Sequence, residues 1–378
     1  MTSVATQTGP SHEAMAMPTT MRAAVYHGRN DVRVEQVPVP RIGPGEVLVR
    51  VHTCGICGTD LKKISAGAHS APRIFGHEIA GTVAAVGDGV KACRLGDRVM
   101  AFHHIPCGEC YYCQHKVFAQ CALYKRVGCT AGFEPSGGGF SEYVRVMDWI
   151  VARGGVVRIP GDVSFEQASF IEPVNTCMKA IETLRVQPGE TVFVIGQGPI
   201  GIMLGVLALK AGAKVIASDL YAQRHTIANG FGLTRFIDAS RSETIQSLKD
   251  WTEGRGADAV ILTVAGTALI NAAMESARPG GRVMLFAQTV REDAVFDPAT
   301  VCVDEKSLLG SYSASIDLQE QAVSFVLRRE MDLERLISHR FALADAVEAF
   351  NLAAHPRPDS MKVVIQPGLK HSSHASTA

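Results

Sequence analysis

No stretch of this 378-residue chain is apolar over the ~18 residues that a membrane-spanning helix requires. Net charge is absent too. The 37 Lys and Arg balance 37 Asp and Glu, so the overall charge favours neither nucleic acid nor an acidic membrane surface. Residues Met1 to Thr20 lack the basic start and apolar segment of a secretion signal and read as a disordered leader. The tail, 368–378, reads as similarly loose. With no export signal, a cytoplasmic location is expected, and ten cysteines in a reducing compartment point to metal rather than disulfides. What is present is an ordinary globular composition, 47% hydrophobic and 20% charged, over a length sufficient for two domains.

Two textures follow one another along the chain. Short candidate strands separated by Gly and Pro turns come first: Met21–Tyr26, Val32–Val34, Glu46–Val51, Ile79–Val86, Arg98–Phe102 and Ser141–Val146. They suggest an irregular β-barrel-like domain. Near Ile159 the pattern changes. Phe165–Leu184 has helical spacing. Apolar strands at Thr191–Ile195, Lys214–Ser218, Ala259–Thr263 and Arg282–Ala287 then alternate with helical stretches, as in parallel βαβ units. Leu343–Ala353 reads as a helix and Met361–Gln366 as a strand.

Three motifs carry chemistry. The first is Cys54-Gly-Ile-Cys57-Gly-Thr59-Asp60, followed by Gly76-His77-Glu78. Thiolate and imidazole are the preferred ligands of zinc, and a catalytic zinc keeps one position open for water or substrate. The spacing does not say which cysteine is the ligand, and a third ligand must come from elsewhere. The second motif is Cys107-Gly-Glu-Cys110-Tyr-Tyr-Cys113 with Cys121 beyond it. Four thiolates fill a tetrahedron and exclude substrate, so this site is structural; an iron–sulfur cluster is the alternative. The third is a strand running into Gly196-Gln-Gly198-Pro199-Ile200-Gly201 and an apolar helix. Gly196 permits a tight turn, Gly198 lets a pyrophosphate approach the backbone, and Gly201 lets helix pack on strand. Asp219, at the end of the next strand, accepts hydrogen bonds from adenosine ribose and repels a 2′-phosphate. That favours NAD over NADP, with Arg224 as a partial offset.

In this order, the motifs resemble the zinc-containing medium-chain dehydrogenase/reductase family, in the branch with alcohol, sorbitol and threonine dehydrogenases. The resemblance covers roughly Met21 to Pro367. It implies an α/β fold: a GroES-like irregular β-barrel catalytic domain (21–172, with a structural-zinc lobe at 103–123) and a Rossmann doubly wound parallel sheet (173–335). Residues 336–367 return to the first domain. It further implies two zinc ions per chain. Cys57, His77 and the Glu172 of Glu172-Pro173 would hold the catalytic one, as in polyol-type members, and Cys107, Cys110, Cys113 and Cys121 the structural one. Cys54 is then a neighbouring strand or turn residue, Glu78 stands behind the zinc, and Asp60 orients His77.

The implied chemistry is hydride transfer between a secondary alcohol and NAD, with zinc as Lewis acid. The proton passes from the substrate hydroxyl to Thr59 and the nicotinamide ribose. Lys62 stands where many members have a histidine that receives it. Thr176, Val264, Phe286 and Ser311 fall in segments that line the nicotinamide, Lys362 is placed to reach the pyrophosphate, and His103 falls at the substrate pocket. Glu172 and His103 suit a polyol, sugar or cyclitol derivative. The implied partners are a small-molecule alcohol or ketone, neither nucleic acid nor membrane, and further copies of the chain in a homodimer or homotetramer. The rivals are a threonine-type amino-alcohol dehydrogenase, a carbonyl reductase, and a non-catalytic redox sensor that keeps the cofactor.

Overall fold

The computed structural model describes residues 17–102, 105–126, 137–241, 243–287 and 293–370. Most of the leader and the last eight residues therefore lie outside the described residues, and Thr20 already belongs to the first strand.

The first half is strand-rich: β1 (Thr20–Gly28), β2 (Asp31–Pro38), β3 (Val47–Gly55), β4 (Arg73–Ile74), β5 (Glu78–Val86), β6 (Arg98–Ala101), β7 (Tyr143–Val146) and β8 (Val156–Arg158). Helices α1 (Gly58–Ala66), α2 (Tyr111–Gln114), α3 (Ala122–Arg126) and α4 (Asp148–Ala152) interrupt it. Then come α5 (Phe165–Ser169), α6 (Ile171–Leu184), β9 (Thr191–Ile195), α7 (Pro199–Lys210), β10 (Lys214–Asp219), α8 (Ala222–Asn229) and β11 (Arg235–Asp238). The second half continues with α9 (Thr244–Trp251), β12 (Ala257–Leu262), α10 (Ala268–Ser276), β13 (Ala277–Leu285), α11 (Ala299–Cys302), β14 (Ser307–Gly310) and α12 (Gln319–Leu327). The chain closes with β15 (Ile337–Ala342), α13 (Ala346–Ala354) and β16 (Lys362–Gln366).

β9 to β14 form one parallel sheet in the order β11-β10-β9-β12-β13-β14. The sheet is buried on both faces, which is why its strands are apolar at consecutive positions. Val192 and Val194 of β9 enter the large core shared with the first half, while Phe193 and Ile195 enter a second core on the opposite face. α7 has eight of its twelve residues buried and runs through the first of these cores. The other large sheet has the order β15-β16-β3-β5-β6-β8, with β7 also paired to β3. The last strand of the chain thus lies antiparallel to β3, Ile365 opposite Cys54.

One local difference from the sequence pattern matters for the site. Phe165–Leu184 is two helices rather than one, with a break at Phe170. Pro173 has no N–H to donate, so it is accommodated only within a helix's first turn. The second helix accordingly starts at Ile171 and carries Glu172 in that turn.

Gln167 holds the break in place. Its buried side chain donates to the carbonyls of Val326 (3.1 Å) and Met331 (3.0 Å) and accepts from the N–H of Leu333 (3.0 Å). Gln167→Met orphans all three backbone groups. It should lower the unfolding free energy by at least about 2 kcal/mol, read as an earlier urea midpoint than the parent.

Candidate active site

β3 and β5 pair with Gly55 opposite Glu78. Cys57, two residues beyond one strand, and His77, one residue before the other, therefore meet at the same end of the sheet. The ligand atoms of Cys57, His77 and Glu78 all lie within 4.8 Å of one another. Cys57 is also the N-cap of α1: its sulfur accepts from the Thr59 N–H at 3.5 Å, and Asp60 returns an oxygen to the Cys57 N–H at 3.2 Å. The other Asp60 oxygen bonds His77 Nδ1 at 3.1 Å, which leaves Nε2 as the ring nitrogen able to face a metal. Cys54 is fully buried, and its sulfur packs so closely on Gly139 that a Cβ there would stand 2.6 Å from it. It belongs to the core.

Glu78 forms a buried ion pair with Lys362, whose Nζ also donates to the Ile56 carbonyl at 3.0 Å. Gly55 makes room for the pair, since a Cβ there would overlap the Glu78 carboxylate. Lys362 was expected at the pyrophosphate. The structure turns its ammonium inward instead, because a buried carboxylate needs a counter-charge. Burial disfavours that ammonium, but Glu78 and Cys57 outweigh burial and raise its pKa. His77 behaves alike: burial lowers its pKa, yet Asp60 and Cys57 hold it well above the usual range.

Glu172 is buried and lines the same pocket without joining the three converged ligand atoms. Burial pushes its carboxyl up to about 7, with Glu78 and Asp60 adding to the shift against His77 and Lys362. Glu78 thus stands within the converged group, and Glu172 lines the cavity beside it. This donor set fits a divalent cation of zinc's type in both ligand chemistry and charge.

The sulfurs of Cys107, Cys110, Cys113 and Cys121 also lie within 4.8 Å of one another. Two of them accept backbone N–H bonds, Cys107 Sγ from Cys110 and Cys121 Sγ from Cys107, each at 3.4 Å. The cysteines among the described residues are all free. Among the described residues, the lobe's small core beyond the sulfurs is Phe118, Ala119 and Tyr124, with Leu123 and Ile316 packed against it. The arrangement fits an ion that closes a tetrahedral site and holds the lobe together.

The glycine turn after β9 is a cradle. Gly196 has φ +94°, and a Cβ on Gly201 would overlap the Gly196 carbonyl. Above Gly198 nothing lies within 4 Å of where a Cβ would be, so the space over the α7 N-terminus, begun by Pro199, is open to a phosphate. Thr263, which the sequence pattern did not single out, secures the turn by donating to the carbonyls of Ile195 (2.9 Å) or Gly196 (3.0 Å). Its only sequence signal is a hydroxyl directly after β12. Asp219 ends β10, accepting from the N–H groups of Gln197 (2.7 Å) and Tyr221 (3.0 Å) and from Arg224 Nη1 (3.1 Å).

A cavity of about 270 Å³ joins the metal centre to these strand ends. Cys57, Thr59, Lys62, His77, Glu172 and Thr176 line one side, and Ile200, Thr263, Ala265, Phe286 and Ser311 the other. Val264 is not among the lining residues. Its side chain packs instead on the glycine turn, where a Cβ on Gly196 would stand 2.5 Å from its Cγ2, while its neighbours Thr263 and Ala265 line the cavity. Lys62 spans the cavity, donating to the Ala287 carbonyl at 2.6 Å. His103 lies outside the described residues. A wider cleft of about 690 Å³ at Arg50, His52 and Glu166 lies apart from the three motifs, with Glu166 bonded to Arg340 and Gln366 and His52 to Thr82.

The cradle predicts a graded response. Gly201→Ala should weaken NADH at least about tenfold, by fluorescence titration, because the added methyl forces the turn open. Gly198→Ala should be milder in the free protein's stability, since its Cβ meets nothing.

Comparison with known proteins agrees with this geometry. Residues 43–160 match the family model of the alcohol dehydrogenase GroES-like domain, and residues 199–328 that of the zinc-binding dehydrogenase. Sorbitol dehydrogenase of Bacillus subtilis is 28% identical over 93% of this chain and 98% of its own length. Galactitol 1-phosphate 5-dehydrogenase of Escherichia coli K12 is 30% identical over 91% of this chain and all of its own. A zinc-binding dehydrogenase of Sinorhizobium meliloti 1021, solved bound to NADP, superposes with a TM-score of 0.82 at 27% identity, covering 93% of this chain and 100% of that one. The chain belongs to the zinc-containing medium-chain dehydrogenase/reductase family and is a zinc-dependent, nicotinamide-linked dehydrogenase of its polyol-type branch.

Proposed function

We propose that this chain oxidises a secondary hydroxyl of a polyol, sugar or cyclitol derivative with NAD, at a zinc held by Cys57, His77 and Glu172, with a second zinc in the four-thiolate lobe. One observation carries the reading: Cys57, His77 and Glu78 converge, with Glu172 beside them, in a cavity whose opposite wall is the strand ends next to the glycine cradle. The polyol-type relatives support the substrate class. When bound, zinc supplies Lewis acidity toward the substrate oxygen and the nicotinamide accepts the hydride.

The chain's own residues do the rest. Asp60 fixes the His77 ring so that Nε2 faces the centre. Glu78, neutralised by Lys362, keeps a carboxylate within the ligand group. Thr59 stands on the cavity wall in the first turn of α1, where its hydroxyl takes the substrate proton and hands it outward. Lys62 follows one turn later on the same helix face and, as an uncharged amine, takes the proton and releases one to solvent. Asp219 supports NAD as the preferred cofactor. Its carboxylate stands at the end of β10 beside the glycine turn, accepting from the Gln197 N–H, and Arg224 is engaged with it and with the Ser360 carbonyl. That engagement with Asp219 supports NAD over a cofactor carrying a 2′-phosphate.

Incubation with NAD and a panel of polyols should produce reduced cofactor, followed by absorbance. Cys57→Ala should abolish it and lower zinc from roughly two to roughly one per chain; full turnover by Cys57→Ala would sink the assignment. Asp60→Ala should keep the four-thiolate zinc and weaken the catalytic one about tenfold to a hundredfold, by competition with a chromogenic chelator.

A further inference from the structure

The four-cysteine lobe is joined to the cavity wall by a contact that none of the roles above uses. Tyr124 lies on α3, three residues after Cys121, and its side chain is buried in the lobe's small core. Its hydroxyl shares a 2.6 Å hydrogen bond with the hydroxyl of Ser313. Ser313 lines the cavity in the segment after β14. It is a non-glycine residue at φ +62°, a left-handed conformation that costs of order 1 kcal/mol and persists only where neighbours enforce it. Ile316 of the same segment packs on the lobe's core. From the other side α6 takes hold: Lys179 donates to the Tyr312 carbonyl at 2.8 Å, and Asn175 brackets Ser315 with bonds of 3.0 Å and 2.9 Å. The wall from Ser311 to Ile316 is therefore clamped between α6 and the lobe, and the lobe's direct polar grip on the cavity-lining part is Tyr124.

We propose that Tyr124 is a positioning residue: by holding Ser313 in its left-handed conformation, it makes the metal-organised lobe a support for the cavity wall against which the nicotinamide cofactor docks. The proposal rests on the reading of that cavity as the cofactor site. The four-thiolate lobe is then more than a stabilising clasp, since what orders α3 also sets the shape of the wall.

A double-substitution cycle read by NADH fluorescence titration tests this, with zinc content measured on every variant. Tyr124→Phe removes only the hydroxyl. It should weaken NADH binding about fivefold with zinc content at the parent's value. Ser313→Ala removes the same bond from the other side and should give a similar loss. The double variant should be no weaker than Tyr124→Phe alone, because Tyr124→Phe has already removed the bond that Ser313→Ala takes away. NADH binding by Tyr124→Phe equal to the parent's, or losses that multiply in the double variant, would overturn the proposal. If Tyr124→Phe loses zinc, Ser313→Ala, which leaves the lobe untouched, decides by itself: a fivefold loss supports the proposal and parental affinity refutes it. A parent protein that fails to bind NADH would instead overturn the assignment of the cavity.

Discussion

Burying several anionic groups at one point is the constraint from which the rest of this molecule follows. Asp60, Glu78 and Glu172 are buried close together beside one small cavity that Cys57 also lines, and moving a single carboxylate out of water costs several kcal/mol. The chain supplies positive charge from two directions. Lys362 arrives from the last strand and pairs with Glu78, and His77 is held between Asp60 and Cys57. A divalent cation completes the balance. Several local features become intelligible on these terms. Gly55 has no side chain because the Glu78–Lys362 pair lies against it, and Asp60 serves both a helix cap and an imidazole because one buried carboxylate with two sets of partners is cheaper to bury than two.

The cavity exists because two sheets end beside each other. β3 and β5 terminate at the metal centre, and β9, β12, β13 and β14 terminate at the cradle and the nicotinamide side. Ligands of parallel sheets sit beyond the C-terminal strand ends, where helix N-termini converge. α6 leads from one sheet to the other and contributes to both walls: Glu172 and Thr176 at the metal side, Asn175 and Lys179 to the segment after β14. Lys62 and Tyr124 cross the gap from the strand-rich half, Lys62 to the Ala287 carbonyl and Tyr124 to the Ser313 hydroxyl, both in segments that line the cavity.

Much of this was legible before any coordinates. The cysteine spacing of the lobe and the glycine spacing of the cradle encode contacts between residues near in sequence, and such contacts survive as patterns. The four central parallel strands were visible as apolar runs because burial on both faces leaves no polar alternation to obscure them, whereas the less buried edge strands β11 and β14 were not. The break at Phe170 was concealed by continuous helical spacing on either side, although Pro173 was its local cause. Thr263 was missed because its role is to bond carbonyls of another strand. Lys362 was assigned to the phosphates, but a buried glutamate more than two hundred and eighty residues earlier claimed its charge.

By itself, then, the sequence determined the ligand chemistry, the two-part α/β architecture and the cradle, because each depends on residue type and short-range spacing. Tertiary structure alone decided how those pieces share one cavity: Glu78 inside the converged group with Glu172 beside it, Val264 packed on the glycine turn, Arg224 paired with Asp219, and Ser313 held by Tyr124. The physical reason is that charge compensation and wall shape depend on distances between segments far apart in the chain. Those distances are set by strand register and core packing, which no local pattern of residues records.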